Sequence, residues 1–375
     1  MQFFKKIFSP LEKIKKFFLR PVDAGKFAVS FIAAFAGFFI FWGLLVFLID
    51  PYFYYHRAWG LQNVYNNSRA MVPGVARNFE FDTVVFGTSM CQNFKCSEIN
   101  ETLDVTCVKA TSAGLSSAAF ARYFDTIKMY RKDKFKRCIM GVDIWSFAKD
   151  DPGKRTSYHY LYEDRLFPVE YFYSADTAEA IWDMLKTNAA AGHDPIARHE
   201  MNEDLMFSNK PKYIYSRAAL EEDVRTLKIS PAAPDEQTLK NLEDHLFSRI
   251  RNNPDIRFDL FLPPYSIYFW CLLHEDGKLE SYLAMRDEFI RQASRYPNVR
   301  IHDFQSDFAI ICNLDNYKDV THYSPAVNTI IIKSIKEGRH LVTPEKLPAH
   351  TGAIRAKSAA WQKNFDLLRK SGKCN

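Results

Sequence analysis

Two short stretches of the chain carry side chains that could perform acyl transfer. "VVFGTSMCQNF", Val84 to Phe94, runs from apolar residues into Gly87, Thr88, Ser89 and Cys91. A glycine followed by a small hydroxyl residue at the end of a strand can present a nucleophile. Gly87 lets the chain turn sharply, and the field at the start of a following helix favours negative charge near Ser89. Serine is equally a common helix cap, so the stretch alone does not decide. In "NYKDVTHYSPAVNTIII", Asp319 and His322 stand three apart, ahead of a helix that Pro325 can open. Over one tight turn the carboxylate can reach the imidazole, fix its tautomer and stabilise its charged form, leaving the other ring nitrogen for a nucleophile. Read alone, this pair also fits a cap on the last helix. Together they give Ser89 as nucleophile, His322 as general base and Asp319 as the group that orients it. Cys91 has no cationic neighbour in sequence to make it a thiolate, and it reads as a structural thiol.

These residues need a scaffold that brings them to one edge. Strand-like runs rich in β-branched and aromatic residues fall at Thr83–Phe86, Val105–Lys109, Arg137–Gly141, Phe258–Leu262 and Val299–His302. Helical patterns lie between them at Ser117–Tyr130, Asp235–Arg251 and Lys278–Tyr296. Such alternation predicts an α/β protein with a parallel sheet covered by helices on both sides, and ligands then bind beyond the carboxyl ends of the strands. Between the third and fourth strands a long insertion, 144–234, reads as a helical cap rich in Tyr and Trp. Tyr158, Tyr160, Tyr162, Tyr171 and Tyr173 fit either sugar stacking or a packed core.

The ends of the chain set its location. Phe27 to Ile49 is an uncharged apolar run that as a helix would reach about 34 Å, enough to cross a bilayer. No small-residue cleavage site follows it, which reads as a retained signal anchor. Ahead of it seven basic residues (Lys5, Lys6, Lys13, Lys15, Lys16, Arg20, Lys26) face only Glu12 and Asp23, so the amino terminus is expected to stay cytoplasmic and the rest to lie outside. That surplus of five accounts for nearly all of the net +6, so the charge belongs to the lipid-facing leader and leaves no footprint for nucleic acid. The expected organisation is a basic amphipathic segment over 1–26, a transmembrane anchor over 27–49, a connector over 50–80 that lifts the domain off the bilayer, the α/β domain over 81–340 and a basic tail over 341–375 that docks as a helix. Seven scattered cysteines are an odd number, leaving at least one free thiol, and Cys91 could bridge to Cys96 or Cys107. His193-Asp194 and His199-Glu200 lack the four-residue spacing of a helical metal pair, and no glycine-rich phosphate loop occurs. No metal and no cofactor is expected.

Ser89 after the first strand, Gly114 in "TSAGLSS" after the second, Gly141-Val142-Asp143 after the third and Asp319-x-x-His322 after the last resemble the four blocks of the SGNH (GDSL-like) hydrolases. The resemblance covers about 79–338. It implies a flavodoxin-like three-layer α/β/α sandwich, a Ser89–His322–Asp319 triad, and an oxyanion site built by the Ser89 amide, Gly114 and the residue at 143. With an anchor in front, the chain is most similar to the membrane-tethered branch that includes the alginate O-acetylation proteins and the D-alanyl lipoteichoic acid transfer protein. "PPYS", Pro263 to Ser266, is also similar to that branch. Two positions depart from the pattern: Thr88 replaces the Asp of the Gly-Asp-Ser block, and Asp143 replaces an Asn. An ionised Asp143 would repel an oxyanion, so protonation, another orientation, and recognition of a cation or sugar hydroxyl all stay open. The resemblance implies an extracytoplasmic O-acyltransferase or esterase acting on a cell-envelope polysaccharide beside a membrane-bound O-acyltransferase. The alternative is a non-catalytic glycan-binding or scaffolding partner of such a machine.

Overall fold

The computed structural model describes residues 23–148, 158–192, 213–227 and 232–372. Five strands, β1 (Thr83–Gly87), β2 (Cys107–Thr111), β3 (Arg137–Gly141), β4 (Arg257–Leu262) and β5 (Val299–Asp303), form one sheet in the order β2-β1-β3-β4-β5. Every pairing is parallel, with Val84 opposite Val108 and Cys138, and Leu260 opposite Met140 and Ile301. This is the flavodoxin-like order, and each expected strand is present within two residues of its predicted ends. The strands are buried almost throughout, as expected where helices cover both faces. Two of the charged groups buried with them are paired: Lys109 Nζ donates to the carbonyls of Gln92 and Phe94, and Asp259 pairs with Arg137 and Arg257.

The expected helices appear at Ser117–Arg131, capped by Ser116, and at Leu279–Ala293. The third begins at Glu236 under a capping box from Asp235 and Thr238, then passes through a π-helical stretch, Leu242–Phe247, before ending at Asn252. The regular elements described in the insertion are helical: Val169–Tyr173, Ala175–Ala191, Arg217–Thr226 and short 3₁₀ turns. The tail forms a 26-residue helix, Leu347–Gly372, that buries Ile354 and Phe365 against the domain. Phe365 and Trp361 meet Tyr268 at 5.7 and 6.0 Å between ring centroids.

The stretch expected as an anchor is the helix Ala24–Ile49, apolar and long enough to cross a membrane. The segment after it differs from the expected connector. Tyr52, Phe53 and Tyr54 are buried, and 68–78 is a helix on which the Tyr52 and Phe53 carbonyls lie so close to Gly74 that a side chain there would collide with them. Asp50 ends the anchor in a left-handed conformation. Its buried carboxylate accepts from the backbone of Tyr54 at 2.9 Å and of Tyr55 and His56 at 2.7 Å, and from the Tyr171 hydroxyl. Residues 50–54 and the helix 68–78 are therefore part of the packed domain, because Tyr52, Phe53 and Tyr54 have a core to enter and a loop period cannot show that, while 55–64 lie half-buried to exposed between them. The basic segment 1–22 and the His193-Asp194 and His199-Glu200 pairs lie outside the described residues.

Candidate active site

Gly87 ends β1 with φ +146°, a conformation that favours glycine. A side chain there would also stand 2.4 Å from Cys91 Sγ, and one on Gly141, at the end of β3, would stand 2.6 Å from the same sulfur. The two glycines thus make room for Cys91, which tucks the turn after β1 beneath the sheet edge. Burial raises the Cys91 thiol above its ordinary range, so it stays protonated. Its place under the site is structural.

Above it, Thr88 caps the short 3₁₀ turn Ser89–Cys91, and the half-buried Ser89 projects at the carboxyl end of the sheet. Ser89 Oγ lies 2.7 Å from His322 Nε2. His322 Nδ1 lies 2.7 Å from Asp319 Oδ2 and 2.9 Å from Oδ1. The loop that carries both residues is a tight hairpin, closed by a bridge between Tyr317 and Tyr323 and by the Ser324 amide donating to the Asn316 carbonyl at 2.7 Å. Inside it, Asp319 Oδ1 accepts from the His322 and Thr321 amides at 2.7 and 3.0 Å. Burial pushes the Asp319 carboxyl up, but the hydrogen bonds and charge of His322 and the backbone amides outweigh it and hold the group below its ordinary value. An ionised carboxylate on Nδ1 sets the tautomer in which Nε2 is free to accept a proton from Ser89.

Further contacts from the segment after β4 and from the insertion fix this hairpin and the loop after Ser89, and sequence reading missed them. Ser266, from the "PPYS" stretch after β4, uses both its amide and its hydroxyl on the Val320 carbonyl, at 3.1 and 2.9 Å. Tyr317 donates to the Pro264 carbonyl at 2.8 Å. From the insertion, Asp223 accepts from the Val320 amide at 3.2 Å, Tyr215 accepts from Asn93 at 3.2 Å, and the Tyr213 ring lies 3.4 Å from Lys318 Nζ. The insertion is therefore built into the site's wall. The only sequence signal for these contacts was the two prolines that halt β4.

Gly114, with φ +62°, is exposed on the turn after β2, next to the end of β1, where the Ser112 amide donates to the Gly87 carbonyl at 3.2 Å. Asp143 corrects the sequence expectation. It is 1% exposed, and its two carboxylate oxygens accept from the Thr88 and Tyr265 hydroxyls, so it is neither an oxyanion donor nor a surface group for substrate. Trp145 in turn donates to the Tyr265 oxygen at 3.2 Å, and Thr88 Oγ1 accepts from the Met90 amide at 3.4 Å. Burial pushes the Asp143 carboxyl up to about 6 against the downward pull of Thr88, Tyr265 and His322. Thr88 and Asp143, the two positions that depart from the pattern the sequence resembles, are in contact, Thr88 being one of the two hydroxyl donors to Asp143. Together they form a floor that holds the turn carrying Ser89.

The fold and the site define an α/β protein of flavodoxin-like topology with a Ser–His–Asp arrangement at the carboxyl edge of its sheet. No family model matches the chain, and no curated protein matches it. Among solved structures, one from Streptococcus pneumonia, described provisionally as a platelet activating factor, is similar over 72% of this chain and 90% of its own, with 12% identity and a TM-score of 0.38.

Proposed function

We propose that the chain is a membrane-anchored serine esterase or O-acyltransferase. One observation carries this reading: a continuous hydrogen-bonded relay from Ser89 Oγ through His322 to Asp319, with 2.7 Å at both junctions. Ser89 Oγ attacks the carbonyl carbon of an acyl ester while its proton passes to His322 Nε2. The carbonyl oxygen becomes an oxyanion, which the Ser89 and Gly114 amides receive. As the tetrahedral intermediate collapses, the bond to the leaving alcohol breaks and His322 returns the proton to that oxygen, leaving acyl-Ser89. A second hydroxyl, deprotonated by His322, then attacks the acyl-enzyme, and Ser89 recovers its proton. Asp319 keeps the imidazole in register and offsets its charge during both halves.

Water as the second nucleophile gives hydrolysis, and a sugar hydroxyl gives transfer. We place the acceptor among envelope polysaccharides outside the cytoplasm, with a membrane-bound O-acyltransferase as the supplier of acyl groups. The anchor and its basic leader support this location. A fluorophosphonate probe on the full chain in detergent should label the wild type and leave Ser89→Ala unlabelled, with Asp319→Asn labelled roughly 10²–10⁴-fold more slowly. Equal labelling of Ser89→Ala would refute the assignment, and a wild type that takes no label would favour the non-catalytic glycan-binding role.

A further inference from the structure

The anchor helix meets the rest of the chain well before its own carboxyl end. The insertion packs on it along its upper half: Trp42 Nε1 donates to the Phe172 carbonyl at 2.8 Å, and the Tyr173 hydroxyl donates to the Phe39 carbonyl at 3.2 Å. The Phe39 and Tyr173 rings lie 5.2 Å apart between centroids, and a side chain on Gly43 would come within 3.2 Å of the Tyr173 oxygen. A span needs about 20 residues. Counted from Ala24, the first residue of the helix, the twentieth is Gly43, so a helix that crosses the bilayer holds Phe39 and Trp42 within its hydrocarbon segment. Phe39 lies ten residues before Ile49, about 15 Å along the axis. The insertion residues that touch it must share that depth.

Around this contact the insertion turns large apolar side chains outward. Leu166 is 91% exposed and Trp182 65%, and Phe167, Val169, Tyr173 and Leu185 are exposed beside them. Phe167 stacks on Phe172 at 4.2 Å, which ties the exposed cluster to the pair that grips the anchor. Tyr and Trp suit the boundary between headgroups and acyl chains. Several charges in and beside the stretch are paired, Arg165 with Glu163 and Glu170, and Lys186 with Asp183, which lowers the cost of bringing them against lipid, while Asp176 and Glu179 have no part in these pairs.

We propose that the insertion segment Leu166–Leu185 is a second, non-spanning membrane contact, seated in the acyl chains of the leaflet on the domain's side and continuous with the lipid-facing surface of the anchor. It would hold the domain in one orientation above the bilayer, where a single helix alone would let it swivel. The test uses full-length protein in phosphatidylcholine–phosphatidylglycerol vesicles whose acyl chains carry a diazirine. Photolysis and peptide mapping should place lipid adducts on Leu166–Tyr173 and around Trp182 at yields within about tenfold of those on the anchor helix. A Leu166→Ser, Phe167→Ser, Trp182→Ser variant should lose the insertion adducts and keep those on 24–49. Adducts confined to 24–49 in the wild type would overturn the proposal. Absence of adducts from both segments would overturn the membrane span itself.

Discussion

At the scale of single residues, the turn that carries Ser89 rests on a buried acid. Asp143 lies under Ser89 with two hydroxyl donors, and burial lifts it to about 6 from an unfolded value of 3.8. The folded protein therefore binds more protons than the unfolded chain between those two values, so this group's contribution to stability declines as pH rises from about 4 to 6. A rise of that size is worth up to about 3 kcal/mol. Asp143→Asn keeps an acceptor for Thr88 and removes the titration, so thermal unfolding of this variant should lack that loss. The comparison is the difference in unfolding free energy between wild type and variant at pH 4 and pH 7. A constant difference would show that the carboxylate does not titrate there.

The sulfur beneath the turn gives a second test, on the packing of the elements. Cys91 sits where side chains on both Gly87 and Gly141 would have to go, so the ends of β1 and β3 are packed through one thiol. Gly141→Ala should destabilise the fold by about 1–3 kcal/mol through overpacking. Adding Cys91→Ala should recover part of that loss. Recovery is incomplete because Phe261 also lies 2.9 Å from the added carbon. Denaturant midpoints of the two single variants and the double variant measure the coupling, and strictly additive effects would rule out the shared contact.

Across the whole molecule, the last helix acts on the site at one remove. Leu347–Gly372 packs on Ile267–Glu275, and Arg369 donates to the Leu227 and Val224 carbonyls at the end of helix Arg217–Thr226. That helix carries Asp223, which holds the Val320 amide between Asp319 and His322. The same terminal helix brings His350 to the buried Asp303, 2.7 Å away, where Arg286 already pairs with it. Truncation before Leu347 strips the cover from this charge pair and from Tyr268. We expect a chain that accumulates in aggregates or unfolds well below the full-length protein, as read by circular dichroism of the solubilised material; a truncated protein with an unchanged melting temperature would contradict this coupling. The anchor joins near the other end of the sheet, where Asn78, ahead of β1, donates to the Phe53 carbonyl at 2.6 Å. Ser89 follows β1, so roughly the length of a five-residue strand, about 17 Å, separates it from that joint.

The periods and breaks of the sequence were enough for the five strands, the flanking helices, the apolar anchor and the pairing of Asp319 with His322. Each of these depends on neighbours along the chain: strand runs on β-branched residues, helices on a 3.6-residue stripe, and the carboxylate–imidazole contact on a three-residue turn. The 233-residue separation of Ser89 from His322 is closed only by the parallel order of the strands, which brings the ends of β1 and the loop after β5 to one edge. Tertiary packing also decided what periodicity could not express. It drew Tyr52, Phe53, Tyr54 and the helix 68–78 of the expected spacer into the core, made Thr88 and Tyr265 the partners of Asp143, and set Asp223 of the insertion behind the His322 loop. Those contacts are side-chain meetings between segments far apart in sequence, and the free energy that selects them exists only once the sheet has brought the segments together.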